Sequence, residues 1–137
     1  MQVQKLTQFR GRWEILGQHP LIVADTAHNA HGIQIVAQQI QKQDYQNLHM
    51  VIGMVKDKDQ DAVLSLLPKK ANYYFCQPQL MRAENAGNLK AKAELHGLIG
   101  EAFDTVQKAI AAAKSHAKDQ DMIFIGGSTF VVAEAIS

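Results

Sequence analysis

Strand-like and helix-like apolar patterns alternate about five times along the 137 residues, and no other feature constrains the fold as much. Residues 12–16, RWEIL, alternate like a short strand, with Trp13 and Ile15 on one face and Arg12 and Glu14 on the other. PLIVAD (20–25), LHMVIGM (48–54) and DMIFIGGS (121–128) are continuous apolar runs, the pattern of strands buried on both faces. ANYYFC (71–76) has the aromatics of a strand, and GEAF is a shorter candidate. Helical stripes lie between them. Ile33, Val36, Ala37 and Ile40 recur at i, i+3, i+4 and i+7. DQDAVLSLLPKK reads as helix up to Pro68, and AGNLKAKAELHG up to Gly97. A further helix carries the stripe Val106, Ala109, Ile110 and Ala113, with Asp104 and Gln107 spaced as N-cap and N3 of a capping box. TFVVAEAI is a last short helix. This order predicts an α/β fold, a Rossmann-like three-layer sandwich around a mainly parallel sheet, with residues 1–137 forming one domain.

Composition narrows the partners. Apolar residues make up 47 % and charged ones 20 %, enough for a self-sufficient core. A net charge of +1 with no Lys/Arg cluster argues against nucleic acid or an anionic membrane as partner. No apolar run approaches the ~20 residues needed to span a bilayer. The opening MQVQKLTQFRGR lacks the apolar segment of a signal peptide. The single cysteine, Cys76, has no disulfide or zinc-ligand partner of its own kind and fits a reducing compartment as inert core. A cytoplasmic protein is expected.

The densest polar chemistry directly follows a buried-type strand. VADTAHNAHG (23–32) sets Asp25, His28, Asn29 and His31 just behind Leu21-Ile22-Val23. In parallel α/β sheets ligands gather at the carboxyl ends of strands. Four polar groups fall at or soon after such ends: Asp25/His28/Asn29, the run Lys56-Asp57-Lys58-Asp59, Arg82, and Gly126-Gly127-Ser128. They are expected to share one rim. Plainer roles stay open for each: Asp25 as a helix cap, the 56–59 run as a solvated turn, Arg82 and His31 as surface residues, Ser128 as an N-cap. His28 and His31 have metal-ligand spacing but no third ligand, so no metal site is assigned. No His/Asp arrangement makes Ser128 a nucleophile.

Four blocks in order carry a family resemblance, from about Gly11 onward. GRWEIL…PLIVADTAHNAHG resembles the family pattern G-R-[FW]-[EQ] followed by D-x-A-H-N-P. VIGMVKDKD is similar to its G-x-x-x-D-K-D turn, MRA (81–83) to its P-R-A, and IFIGGSTFVVAEAI to its G-S-x-[FYL]-[VL]-V-x-E. Together these resemble the C-terminal domain of the folylpolyglutamate synthase/dihydrofolate synthase family, within the Mur ligase superfamily. Ala30 stands where the family has proline, and a helix can still start on alanine. Met81 replaces the proline before Arg82, which bears on how that arginine is aimed. No G-x-x-G-K-[GS] phosphate loop occurs. The resemblance therefore implies a C-terminal domain whose N-terminal ATPase domain is absent from this chain.

The implied reaction joins L-glutamate to dihydropteroate or a folate. The acceptor carboxylate takes the γ-phosphoryl group of ATP, with magnesium, and the glutamate amine displaces phosphate from the acyl phosphate. By the resemblance, Arg12 reaches ATP phosphates across the interdomain cleft. Asp25 lies near the ribose or the phosphate-binding groups. His28 contacts phosphate or assists proton movement at the amine, and Asn29 caps the helix or holds His28. Arg12 and His28 are thus the implied catalytic residues, and Arg12, Asp25, His28 and Asn29 the nucleotide-binding ones. Lys58, Arg82 and Ser128 fall to the glutamate side, Arg82 by bidentate pairing with a carboxylate. Magnesium ligands would come mostly from the ATPase domain. A cell-wall Mur ligase domain adding another amino acid, and a stand-alone α/β binding module, are the alternatives; the G-R-W-E and D-K-D blocks favour the folate branch.

Overall fold

The continuous apolar runs become the centre of one six-stranded sheet in a computed structural model that describes residues 11–57 and 59–137. The chain runs β1 (Glu14–Gln18), β2 (Leu21–Asp25), α1 (Ala30–Gln41), β3 (Leu48–Ile52), α2 (Gln60–Leu66), β4 (Asn72–Phe75), α3 (Ala86–Glu94), β5 (Gly100–Ala102), α4 (Val106–His116), β6 (Met122–Gly126) and α5 (Thr129–Ala135). In space the strands lie β1-β2-β6-β3-β4-β5. Every neighbouring pair is parallel except the hairpin β1–β2. The strands buried on both faces, β3 and β6, sit at the centre, as their unbroken hydrophobicity requires.

Alternate residues on those strands feed two cores. Met122 and Phe124 of β6 join Met50 and Ile52 of β3 under α1, α2 and α3, through Ile33, Leu64 and Leu89. Ile123 and Ile125 join Val51 under α4 and α5, through Val106, Ala109 and Val132. The result is the expected three-layer α/β sandwich. Each fully buried Ile, Leu, Met or Phe contributes ~1.5–3 kcal/mol relative to exposure, so these layers together carry most of the stabilisation.

Two local expectations shift by a residue or two. The first strand begins at Glu14 instead of Arg12. Trp13 has φ +45°, outside strand geometry, and its N–H is donated to the Asp25 side chain rather than to a ladder. The helix α4 is capped by Thr105, not Asp104. Thr105 is extended and its hydroxyl accepts the Lys108 N–H, while Asp104 pairs with the Lys108 ammonium and Gln107 donates to the Glu134 carbonyl of α5. A hydroxyl in the extended residue just before the first turn reaches the free N–H better than a carboxylate one residue earlier.

Elsewhere the local signals hold. α1 starts at Ala30 with Asn29 as its cap, so the missing proline is tolerated. Gly97 follows α3 at φ +78°, a backbone state only glycine enters cheaply. Cys76 is fully buried, and burial with nearby Glu134 pushes its thiol up, away from the reactive thiolate.

Candidate functional site

Strand direction decides where the polar groups meet. Asp25 and Gly126 end adjacent parallel strands in register, and Ile52 of β3 lies on the other side of Gly126. The backbones then approach closely. The Gly53 N–H donates to the Gly126 carbonyl, and a Cβ on Gly127, at φ +95°, would lie 2.5 Å from the Gly53 carbonyl oxygen. Chain leaving β2, β3, β4 and β6 is therefore delivered to one rim.

Two adjoining clefts open there and share His28 and Thr129. The first, about 230 Å³, is lined by His28, Met54, Val63, Arg82, Ser128 and Phe130, among others. That is below the ~300–1,000 Å³ of pockets for drug-sized ligands, and suits a group the size of an amino acid. The second, about 460 Å³, is lined by Arg12, Trp13, Asp25, His28, Asn29 and His31, with the first turns of α1. Three of the four groups expected on one rim are thus joined, and Asp57 and Asp59 bring the fourth to the first cleft. Lys58 lies outside the described residues.

The side chains divide into those already engaged and those facing solvent. Asp25 is buried, and both its oxygens accept backbone N–H groups, Oδ2 from Trp13 at 2.8 Å and Oδ1 from Ala27 at 2.9 Å. It is not the helix cap; it ties the segment carrying Arg12 to the loop carrying His28. Asn29 is the cap, with Oδ1 accepting the Gly32 N–H at 2.9 Å. Ser128 is also a cap, its Oγ accepting the Phe130 N–H, and is 2 % exposed. Its hydroxyl hydrogen retains a donor's role.

Arg12, His28 and Arg82 are exposed, and among the described residues neither arginine is paired with a carboxylate. His28 Nδ1 lies 3.3 Å from the Thr26 carbonyl. A carbonyl only accepts, so in this contact Nδ1 is the donor. Arg82 is aimed by its backbone despite Met81. Its carbonyl accepts the Lys56 N–H at 2.7 Å, while Met81 projects into solvent.

Two clusters escaped the sequence reading. At the opposite end of the sheet, buried His49 bonds Tyr74 through Nδ1 and Asp121 through Nε2, at 2.9 and 3.0 Å. A lone histidine inside the apolar run LHMVIGM was the available signal, since a buried imidazole requires partners. The second cluster, Gln60, Glu84 and Lys92, borders the first cleft through Gln60; its members belong to three segments, and no spacing announces them.

The profile described as Mur ligase, glutamate ligase domain matches residues 11–129. A probable bifunctional folylpolyglutamate synthase/dihydropteroate synthase of Halobacterium salinarum is 38 % identical over 127 residues, covering 91 % of this chain and 16 % of that protein. The structure of Mycobacterium tuberculosis folylpolyglutamate synthase complexed with ADP is similar with a TM-score of 0.85 at 26 % identity, covering 92 % of this chain and 31 % of that one. A bifunctional folylpolyglutamate synthase/dihydrofolate synthase with Mn, AMPPNP and L-glutamate bound gives 0.83 at 27 %, covering 92 % and 30 %. The chain spans less than a third of the length of each.

Proposed function

The chain belongs to the Mur ligase family through its glutamate ligase domain, and on that premise we propose that it forms the amino-acid side of an ATP-dependent ligase of the folylpolyglutamate/dihydrofolate synthase type. The other wall of the cleft would be an ATPase domain. Two findings favour this arrangement: the chain spans only part of its relatives, and its sequence contains no G-K phosphate loop. Catalysis by positioning needs both walls.

In this reading a dihydropteroate or folate carboxylate attacks the γ-phosphorus of ATP, giving an acyl phosphate and ADP. The L-glutamate α-amine adds to the acyl carbon, phosphate leaves, and the nitrogen gives up a proton as the amide forms. Arg12, with no carboxylate partner among the described residues and beside the second cleft, neutralises phosphate charge as that bond breaks. Asp25 sets the backbone from which Arg12 and His28 project, so its contribution to nucleotide binding runs through them. Asn29, beside them, keeps its amide N–H groups available to the nucleotide. His28 lines both clefts and suits the proton released by the amine.

Glutamate would occupy the first cleft. Arg82 offers one of its carboxylates a bidentate fork, and the Ser128 hydroxyl a single donor. Lys58 belongs to the same proposal through its place in the sequence. Magnesium accompanies ATP, and its ligands fall to the ATPase domain. Among the described residues no three His, Cys, Asp or Glu side chains are grouped to hold an ion. Among them, too, no helix is long and apolar enough to cross a membrane. A cytoplasmic enzyme with neither a membrane nor a nucleic-acid partner belongs to the same reading.

The convergence of Arg82, His28 and Ser128 on one small cavity carries this reading. It is tested by steady-state kinetics of the complete ligase containing this domain. Arg82→Ala should raise the KM for glutamate far more than that for ATP. Arg12→Ala should lower kcat or raise the KM for ATP, a loss of about 2–4 kcal/mol of transition-state stabilisation. Unchanged kinetics in both variants would refute the assignment.

A further inference from the structure

Arg82 projects from a strap that is held by three side chains to which the proposed reaction gives no step, one of which, Gln60, also lines the first cleft. The strap crosses the segment after β3 in a short antiparallel contact. The Lys56 N–H donates to the Arg82 carbonyl at 2.7 Å, the Glu84 N–H donates to the Met54 carbonyl at 2.8 Å, and Val55 faces Ala83. Two backbone bonds on an isolated bridge are weak restraints alone. Beneath them the Glu84 carboxylate, 4 % exposed, is paired with the Lys92 ammonium of α3. Lys92 also donates to Gln60 Oε1 at 2.8 Å, and Gln60 Nε2 donates to the Val55 carbonyl at 2.8 Å. The circuit thus returns to the segment that Arg82 is bonded to, joining the start of α2 to the last turn of α3. Burial pushes the Glu84 carboxyl up, but Lys92, the Asn85 N–H and Gln60 outweigh it and keep it below the usual carboxylate range.

We infer that Glu84, Lys92 and Gln60 are positioning residues for the first cleft: their hydrogen-bonded circuit sets the orientation of Arg82 and of the 54–56 segment toward the amino-acid ligand. This rests on the reading of that cleft as the glutamate site, but the orientation of Arg82 is measurable without any ligand. An ion pair with only its carboxylate buried adds little net stability, and what it can supply here is a defined geometry. A flexible guanidinium on a two-bond bridge needs such a constraint to present its fork.

The test uses NMR on the 137-residue chain, comparing Lys92→Met with Lys92→Arg. The Lys92 side chain is 45 % exposed, so both variants are compatible with folding. In Lys92→Met the Arg82 Nε–Hε signal should move and broaden. The Lys56 and Glu84 amides should exchange about tenfold faster, while β3 and β6 stay protected. Lys92→Arg, which keeps the charge and the donors, should restore all three signals. L-Glutamate should bind Lys92→Met about tenfold more weakly than the unmodified chain, as for other supporting contacts around a site.

Unaltered Arg82 and strap signals in Lys92→Met would overturn the inference. So would a loss of protection spread evenly over β3 and β6, which would mark the circuit as fold stability alone. If L-glutamate shifts nothing in the unmodified chain, the glutamate reading of the cleft fails, whereas the strap signals still decide the positioning of Arg82.

Discussion

The two ends of one sheet carry the same residue types in opposite states. At the amino end, His49 and Asp121 are buried and saturate each other: Asp121 also accepts N–H groups from Asn47 and Lys118, and His49 also bonds Tyr74. At the carboxyl end, His28, Arg12 and Arg82 stand exposed around two clefts, with no carboxylate partner among the described residues. Residue type alone therefore says little. A histidine whose two nitrogens are both spent inside the protein supports the fold, and one with a nitrogen left over can meet a ligand.

The largest expected effect falls at the amino end. Asp121→Ala should cost about 3–5 kcal/mol in urea unfolding, because it strands His49 and two backbone donors in a buried site. His28→Ala should stay within about 0.5 kcal/mol. Similar costs at the two ends would break the comparison. The pH dependence sharpens it. Burial pushes the Asp121 carboxyl up, but the N–H groups of Lys118 and Asn47 and the His49 ring outweigh this and hold it below its ordinary value of 3.8. A carboxyl depressed in the folded state stabilises the fold above its unfolded value, and that contribution disappears as pH falls through the folded one. The gap in Tm between the native chain and Asp121→Asn should therefore hold from neutral pH to near pH 4 and close below it. A gap constant down to pH 2 would contradict the pairing.

Asp25 is the exception at the carboxyl end, since it lies on the functional rim yet is saturated. Asp25→Ala should cost about 1–3 kcal/mol, the penalty for two N–H groups losing their partner. The emission of Trp13, the single tryptophan, should shift to the red as its segment loosens. Full stability with unchanged fluorescence would mean that Asp25 acts on ligand alone. Thr105→Ala should cost about 1 kcal/mol through its lost cap, and Asp104→Ala clearly less; equal costs would return the cap to Asp104.

These contrasts explain what could be read in the sequence. Layers, element order and the shared rim were legible because they depend on local periodicity and on the rule that parallel strands deliver their ends to one side. The blocks around Asp25-His28-Asn29 and Ser128 carried the family likeness for the same reason: each is contiguous. What stayed hidden depends on distance along the chain. His49 and Asp121 are 72 residues apart, and Gln60 and Lys92 are 32 apart. The sequence leaves Asp25 open between a nucleotide-side residue and a helix cap, because its partner Trp13 lies on another strand's approach. Trp13 fits the strand pattern in the sequence because apolar alternation is blind to a positive φ.

The most direct test of the account is NMR shift mapping of the isotopically labelled chain with L-glutamate at millimolar concentration. The account predicts shifts confined to the carboxyl rim, largest at the Arg82 Nε–Hε group and the amides of Gly127, Ser128 and Phe130. Arg82→Ala should abolish them, while His49 and Tyr74 stay unmoved. Shifts centred on the His49–Asp121 end, or rim shifts that survive Arg82→Ala, would contradict it.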